Sequence, residues 1–150
     1  MRYYIDTSVF GGYYDNEFQD DTRRLFAEIE KGEMLVVISE LTARELFRAP
    51  QEVQELLDRI PTGKLDVFSI TDETTALAEH YIEEGALAKK SISDAQHIAT
   101  ATVARVDVLV SWNFRHMVNF FRVRQYNSIN LRYGYPTIDI RSPREVLHEK

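Results

Sequence analysis

Hydrophobic residues fall along this chain in short runs, separated by stretches with the longer period of helices. Tyr3, Tyr4 and Ile5 make the first run; such residues suit a pleated surface, so residues 2–5 read as a strand. MLVVIS (34–39) is apolar nearly throughout, as expected of a strand covered on both faces. LDVFSI (65–70) and VDVLVS (106–111) read as the third and fourth strands, and YPTIDI (135–140) as a short last one. Between the strands the period changes. Residues 21–32 put Leu25, Phe26 and Ile29 on one stripe, with Asp20 or Asp21 as cap and Gly32 as stop. Ser39 caps a helix over 40–48, and Pro50 opens another over 50–60. Thr71 starts a helix with acids in its first turn, which Gly85 ends. Residues 91–105 form an alanine-rich helix whose Ala95, Ala99 and Thr102 suit close packing on a sheet. Residues 7–21 read as a short helix or turn and then a loop, and 112–121 as a turn into helix. Ser142, Pro143 and Glu145 form the capping box of a last helix.

Strands that alternate with helices predict an α/β fold: a three-layer α/β/α domain around a central, mostly parallel sheet. Residues 1–150 read as a single domain without repeat or linker. In such sheets ligands bind beyond the carboxyl ends of the strands. That edge is polar here. Asp6 ends the first strand, Ser39 the second, and Ser111, Trp112 and Asn113 follow the fourth.

Composition narrows the function classes. Hydrophobic residues make up 44% and charged residues 28%, ordinary for a globular protein. No apolar run approaches the ~20 residues that span a bilayer, and the first residues lack the uninterrupted apolar core of a signal peptide. There is no cysteine, which excludes disulfides and thiolate zinc sites; a cytoplasmic protein fits best. The net charge of −6 is not that of a protein coating duplex nucleic acid. A local basic groove, or carboxylates gathered round a cation, remain compatible with it.

A buried carboxylate is costly unless paired or bound to a cation, so Asp6 either caps the next helix or takes part in chemistry. Asp94 lies in the first turn of the alanine-rich helix, on the border of the face that meets the sheet. Glu45 sits on the helix entered directly from the second strand, and Glu40 lies about 140° away round the same helix. These acids stand in segments that resemble the PIN domain, the nuclease fold of VapC-type toxins in toxin–antitoxin pairs. YYIDTSVF is similar to the family's opening strand with its first acid, Asp6, followed by Thr7 and Ser8. VISELTARELFRAP is similar to the segment with the second acid, Glu45, and SDAQHIATATVARVDVLVSWNFRHM to that with the third, Asp94, and with Ser111.

The resemblance implies a Mg²⁺-dependent (or Mn²⁺-dependent) endoribonuclease that hydrolyses RNA phosphodiester bonds. Asp6 and Asp94 would be the metal ligands, and Asp6, Glu45, Asp94 and Asn113 the catalytic set. Ser8, Ser111 and Arg115 would bind substrate. It also implies homodimers and a cognate antitoxin protein whose tail occupies the active-site groove. One position departs from the pattern: Asn113 stands where family members usually carry a further acid. An amide can ligate through its oxygen or hold a water, but it adds no negative charge. That departure keeps a second reading in view, a PIN-fold module, catalytically weak or inactive, that binds RNA or protein. A metal-dependent phosphatase is a third class, but DTS lacks the second aspartate of a phosphoaspartate mechanism.

The remaining polar and aromatic residues read more plainly. His97 and His116 are expected to be structural or surface histidines. In FRHMVNFFRVRQY, arginines interleave with aromatics, a pattern that holds single-stranded RNA by charge and stacking. For Phe120 and Phe121 the core reading is favoured. Trp112 either stacks a base or covers the core.

Overall fold

The computed structural model describes residues 1–148. Five strands, β1 (Arg2–Ile5), β2 (Leu35–Ser39), β3 (Leu65–Phe68), β4 (Val108–Val110) and β5 (Asp139–Arg141), form one sheet. Their order is β3-β2-β1-β4-β5, and every pairing is parallel. Parallel neighbours need crossovers, and helices supply them. These are α1 (Thr7–Gly12), α2 (Gln19–Glu30), α3 (Glu40–Phe47), α4 (Gln51–Gln54), α5 (Asp72–Glu83), α6 (Ile92–Val103), α7 (Phe120–Arg132) and α8 (Pro143–His148).

Side chains alternate across a strand, so each strand feeds two cores. Tyr3, Ile5, Val36, Ile38 and Val110 face α1, α2, α3 and α8, where Phe10, Leu25, Phe26, Ile29, Leu46 and Val146 are buried. Tyr4, Val37, Leu109 and Ile140 face α5, α6 and α7, packing with Leu77, Tyr81, Ile98, Tyr126 and Ile129. The chain is therefore the three-layer α/β/α fold that the alternation of periods predicts.

Local signals set most helix ends. Ser39 accepts a hydrogen bond from the Thr42 amide, and Thr71 one from the Thr74 amide. Ser142 and Glu145 exchange the two bonds of a capping box at 3.1 and 3.2 Å. Each such cap stabilises its helix by about 1 kcal/mol. Gly32 and Gly85 end α2 and α5 with φ of 78° and 81°, a region only glycine enters freely.

Several boundaries differ from the sequence reading; β3, β4 and α6 are shorter by a residue or two at their ends, and four differences go further. Neither Asp20 nor Asp21 caps α2, which starts at Gln19; both lie in its first turn, where the helix dipole favours acids. The helix expected over 50–60 breaks into α4 and a tighter 3₁₀ turn over Glu55–Arg59. Residues 113–118 are a turn rather than a helix. Asn119 caps α7 through the Arg122 amide at 3.2 Å, so the helix starts at Phe120 and runs to Arg132. The last strand lies at Asp139–Arg141 because its register pairs Val108 with Asp139.

Candidate active site

Strand order turns at the centre of the sheet. From β1 the chain builds outward to β2 and β3, then crosses back to place β4 on β1's other side. Such a reversal opens a crevice at the carboxyl ends of the two strands. Asp6 stands in it, its amide donating to the Val110 carbonyl at 3.2 Å. Although it precedes α1, Asp6 makes no side-chain cap, so the capping reading falls. Its carboxylate instead accepts two hydroxyls, from Ser8 to Oδ1 at 2.6 Å and from Ser111 to Oδ2 at 2.7 Å. Ser8 Oγ in turn accepts the Trp112 amide, and Ser111 Oγ the Asn113 amide. Ser8 and Ser111, which the family resemblance makes substrate-binding residues, donate their hydroxyl protons to Asp6.

Asp6 is only 4% exposed. Burial pushes its carboxyl above the usual range. The positive field of His97 and the two serine bonds pull the other way without cancelling it, and the charge of Asp94 adds to the rise. Among the described residues no cationic side chain forms an ion pair with Asp6.

Glu45, on α3, faces the same edge. Thr7 Oγ1 donates to its Oε1 at 2.6 Å, and His97 Nε2 lies 2.6 Å from the same oxygen. A carboxylate can only accept, so Nε2 carries the proton. His97 Nδ1 lies 2.7 Å from the hydroxyl of Tyr4, which also reaches Ser39 Oγ at 2.8 Å. Partial burial raises the Glu45 carboxyl, but the bonds from His97 and Thr7 and the charges of His97 and Arg44 outweigh it. The net shift is downward. Glu40 turns away and accepts the Ile70 amide. Beside Glu45 opens a cleft of about 180 Å³ lined by Leu41, Arg44, Arg48 and Ser93.

Asp94, in the first turn of α6, receives His116 Nδ1 at 2.8 Å and Asn113 Nδ2 at 3.4 Å on one oxygen. The Asn113 oxygen accepts the amides of Arg115 and His116 at 3.1 and 2.9 Å, so it holds the turn. Arg115 is exposed at that turn. Trp112 covers the core, stacked on Phe18 at 4.3 Å with its indole nitrogen donating to Thr22 at 2.9 Å. Phe120 and Phe121, expected in the core, are 69% and 76% exposed, because α7 turns its opposite face inward through Tyr126 and Ile129.

Among the described residues, no group of three or more histidines, aspartates and glutamates stands close enough to hold a metal ion by itself. Mg²⁺, however, is commonly bound through one or two carboxylates with waters completing its shell. Asp6 and Asp94 fit that need. Both are hard oxygen donors, their charges interact, and among the described residues the buried Asp6 carboxylate has no cationic side chain bonded to it.

Sequence reasoning missed the roles of His97 and His116. It also missed Arg44 and Arg48, although Leu41, Arg44, Glu45 and Arg48 carry the spacing of a single helix face. Gly12 was missed too: a β-carbon there would lie 2.8 Å from both Trp112 and Thr22.

Comparison with known proteins adds an independent line. The PIN domain family model matches residues 3–115. VapBC2 from Rickettsia felis, solved bound to a DNA fragment from its promoter, is 17% identical with a TM-score of 0.59, covering 95% of this chain and 98% of that one. Mycobacterium tuberculosis VapC20, a sarcin-ricin loop cleaving toxin, is 14% identical with a TM-score of 0.57, covering 75% of this chain and 91% of that one. A toxin–antitoxin complex from Klebsiella pneumoniae is 19% identical with a TM-score of 0.54, covering 75% and 87%. At these identities the likeness is one of fold. No curated protein matches the sequence.

Proposed function

Because this chain belongs to the PIN domain family, we propose that it is a Mg²⁺- or Mn²⁺-dependent endoribonuclease, the toxin of a type II toxin–antitoxin pair. One observation carries the reading: a buried aspartate at the sheet's reversal point, clamped by two hydroxyls and, among the described residues, not ion-paired with any cationic side chain. Asp6 and Asp94 would hold the metal. When bound it would supply positive charge to the phosphate oxygens and lower the pKa of a nearby water. Ser8 and Ser111 aim Asp6 and offset part of the burial cost of its charge. His97 and Thr7 hold Glu45 through Oε1, which leaves Oε2 free to orient a water and take its proton. Asn113 steadies Asp94 and fixes the turn that presents Arg115. Arg44, Arg48 and Arg115 draw in the phosphates of the RNA strand. A homodimer, an antitoxin partner and a cytoplasmic site of action complete the reading; among the described residues no helix is long and apolar enough to cross a membrane.

A second reading, an RNA- or protein-binding module without cleavage, draws support from Asn113 in an acid's place and from the histidine on each of Glu45 and Asp94. Incubation of purified protein with structured RNAs, with and without Mg²⁺ or Mn²⁺, separates the two. Cleavage that requires the cation and stops in EDTA supports the nuclease. RNA binding with no product at any cation concentration supports the module, and cleavage undiminished in EDTA overturns both.

A further inference from the structure

Charge is distributed unevenly along this acidic chain. Residues 108–138 contain Arg115, Arg122, Arg124 and Arg132 and no acid or lysine, a balance of +4 within a chain of net −6. The stretch starts at β4, passes the Asn113–His116 turn that touches Asp94, and continues into α7. Phe120 and Phe121 form the first turn of α7, 69% and 76% exposed. Their rings stand 5.6 Å apart at 81°, so their faces point in different directions. The Arg124 guanidinium lies 5.7 Å from the Phe120 ring centre. Arg122 and Arg132 are committed elsewhere, to the Ala86 carbonyl and to Glu84. Arg115 and Arg124 remain available as exposed cations.

Exposed aromatics could dock a protein or stack nucleobases, and the surroundings favour bases. The phenylalanines lead along the exposed face of α7 into Arg124, Gln125 and Ser128, with one further exposed apolar residue, Leu131, about three turns on. Glu84 lies beside Arg132 and Arg124, but it is paired with Arg132, so Arg115 and Arg124 leave this stretch of an acidic chain with exposed positive charge that favours a polyanion. Two ring faces set nearly at right angles suit bases splayed from a single strand, whereas paired bases offer no free face. We infer that Phe120 and Phe121, with Arg124 against the Phe120 ring and Arg115 on the turn that precedes α7, form a stacking platform for unpaired bases of the RNA strand that the Asp6–Asp94 site would take. This deepens the nuclease reading, on which its choice of RNA rests.

The test is fluorescence anisotropy in EDTA, with labelled oligouridine and a labelled duplex RNA of equal length as probes. The Phe120→Ala/Phe121→Ala variant should bind oligouridine about tenfold or more weakly, with duplex binding unchanged. Phe120→Tyr, which keeps the ring, should retain binding. Arg124→Ala should reduce the salt slope by about one, a readout of charge rather than of stacking. Wild-type affinity in the double variant overturns the platform. So does loss of self-association or of antitoxin binding with oligouridine affinity intact, which makes the patch a protein interface. Cleavage assayed in parallel keeps the two readings apart. Ring-dependent binding by a wild type that never cuts leaves the platform standing and removes the nuclease. Cation-dependent cleavage with unaltered KM in the double variant does the reverse.

Discussion

His97 Nε2 lies 2.6 Å from Glu45 Oε1, joining a buried ring of α6 to an acid of α3. Behind it the Tyr4 hydroxyl closes on Nδ1, so a rigid strip of core runs from β1 to the site. His97→Ala should let the Glu45 carboxyl titrate nearer its ordinary value, and ¹³C NMR of that carboxyl checks this. Cleavage should fall through kcat with KM little changed, because an oriented acid is lost and no substrate contact. An unaltered Glu45 titration would remove His97 from the mechanism.

Asp6 and Glu45 pull stability in opposite directions with pH. The folded Glu45 carboxyl titrates below its unfolded value, so its stabilisation is complete above about pH 4.3 and lost as pH falls through the folded value. The folded Asp6 carboxyl titrates above its unfolded value. Its contribution is complete below about pH 3.9 and lost as pH rises through the raised folded value. At neutral pH, Asp6→Asn should therefore stabilise the metal-free protein, on the order of 1 kcal/mol, and Glu45→Gln should destabilise it. Urea titrations at about pH 7 and about pH 4 should show both differences shrinking in acid.

Cation binding should be visible as stability, independent of any cleavage. At a hundredfold excess over Kd, Mn²⁺ adds about 2.7 kcal/mol, or roughly 5–10 °C in Tm for a chain of this size. Calorimetry should show that rise for wild type and its loss in Asp6→Asn and in Asp94→Asn. A full rise in either variant places the cation elsewhere.

Asn113 holds its amide nitrogen 3.4 Å from Asp94. Asn113→Asp replaces that donor with a second negative charge, a repulsion of about 5 kcal/mol at an effective dielectric of 20 before screening and relaxation. The variant should be less stable in EDTA and recover with Mn²⁺, as thermal melts with and without the ion will show. Equal loss in both conditions would mean that residue 113 lies outside the cation's field.

Gly12 lies against Trp112, whose backbone amide binds Ser8. Gly12→Ala should force the indole aside at a cost of about 1–3 kcal/mol and loosen the clamp on Asp6. Tryptophan fluorescence and urea melts measure the two effects.

Legibility in the sequence followed the range of the interactions. Caps at Ser39, Thr71 and Ser142 complete themselves within three residues, and the strands announce themselves as apolar runs, so the layers were readable. The three acids were readable through their spacing in the family pattern. The bonds that orient them were not: His97 lies 52 residues from Glu45 and His116 lies 22 from Asp94, a pairing only the tertiary fold creates. Phe120 and Phe121 look like core residues in one dimension. Asn119 sets where α7 begins, and the packing of Tyr126 and Ile129 inward leaves both rings outside.

The clamp on Asp6 joins residues 105 positions apart in the chain, since Ser111 must arrive before the second hydroxyl bond can form. At translation speeds of about 5–20 residues per second, that interval lasts roughly 5–20 s, during which β1 waits without its β4 neighbour. A nascent chain on the ribosome thus carries its first acid long before it can aim it. Under the proposed ribonuclease reading, the half-made molecule has its first acid but not the hydroxyl that positions it, and the sequence separation of the clamp sets the length of that interval.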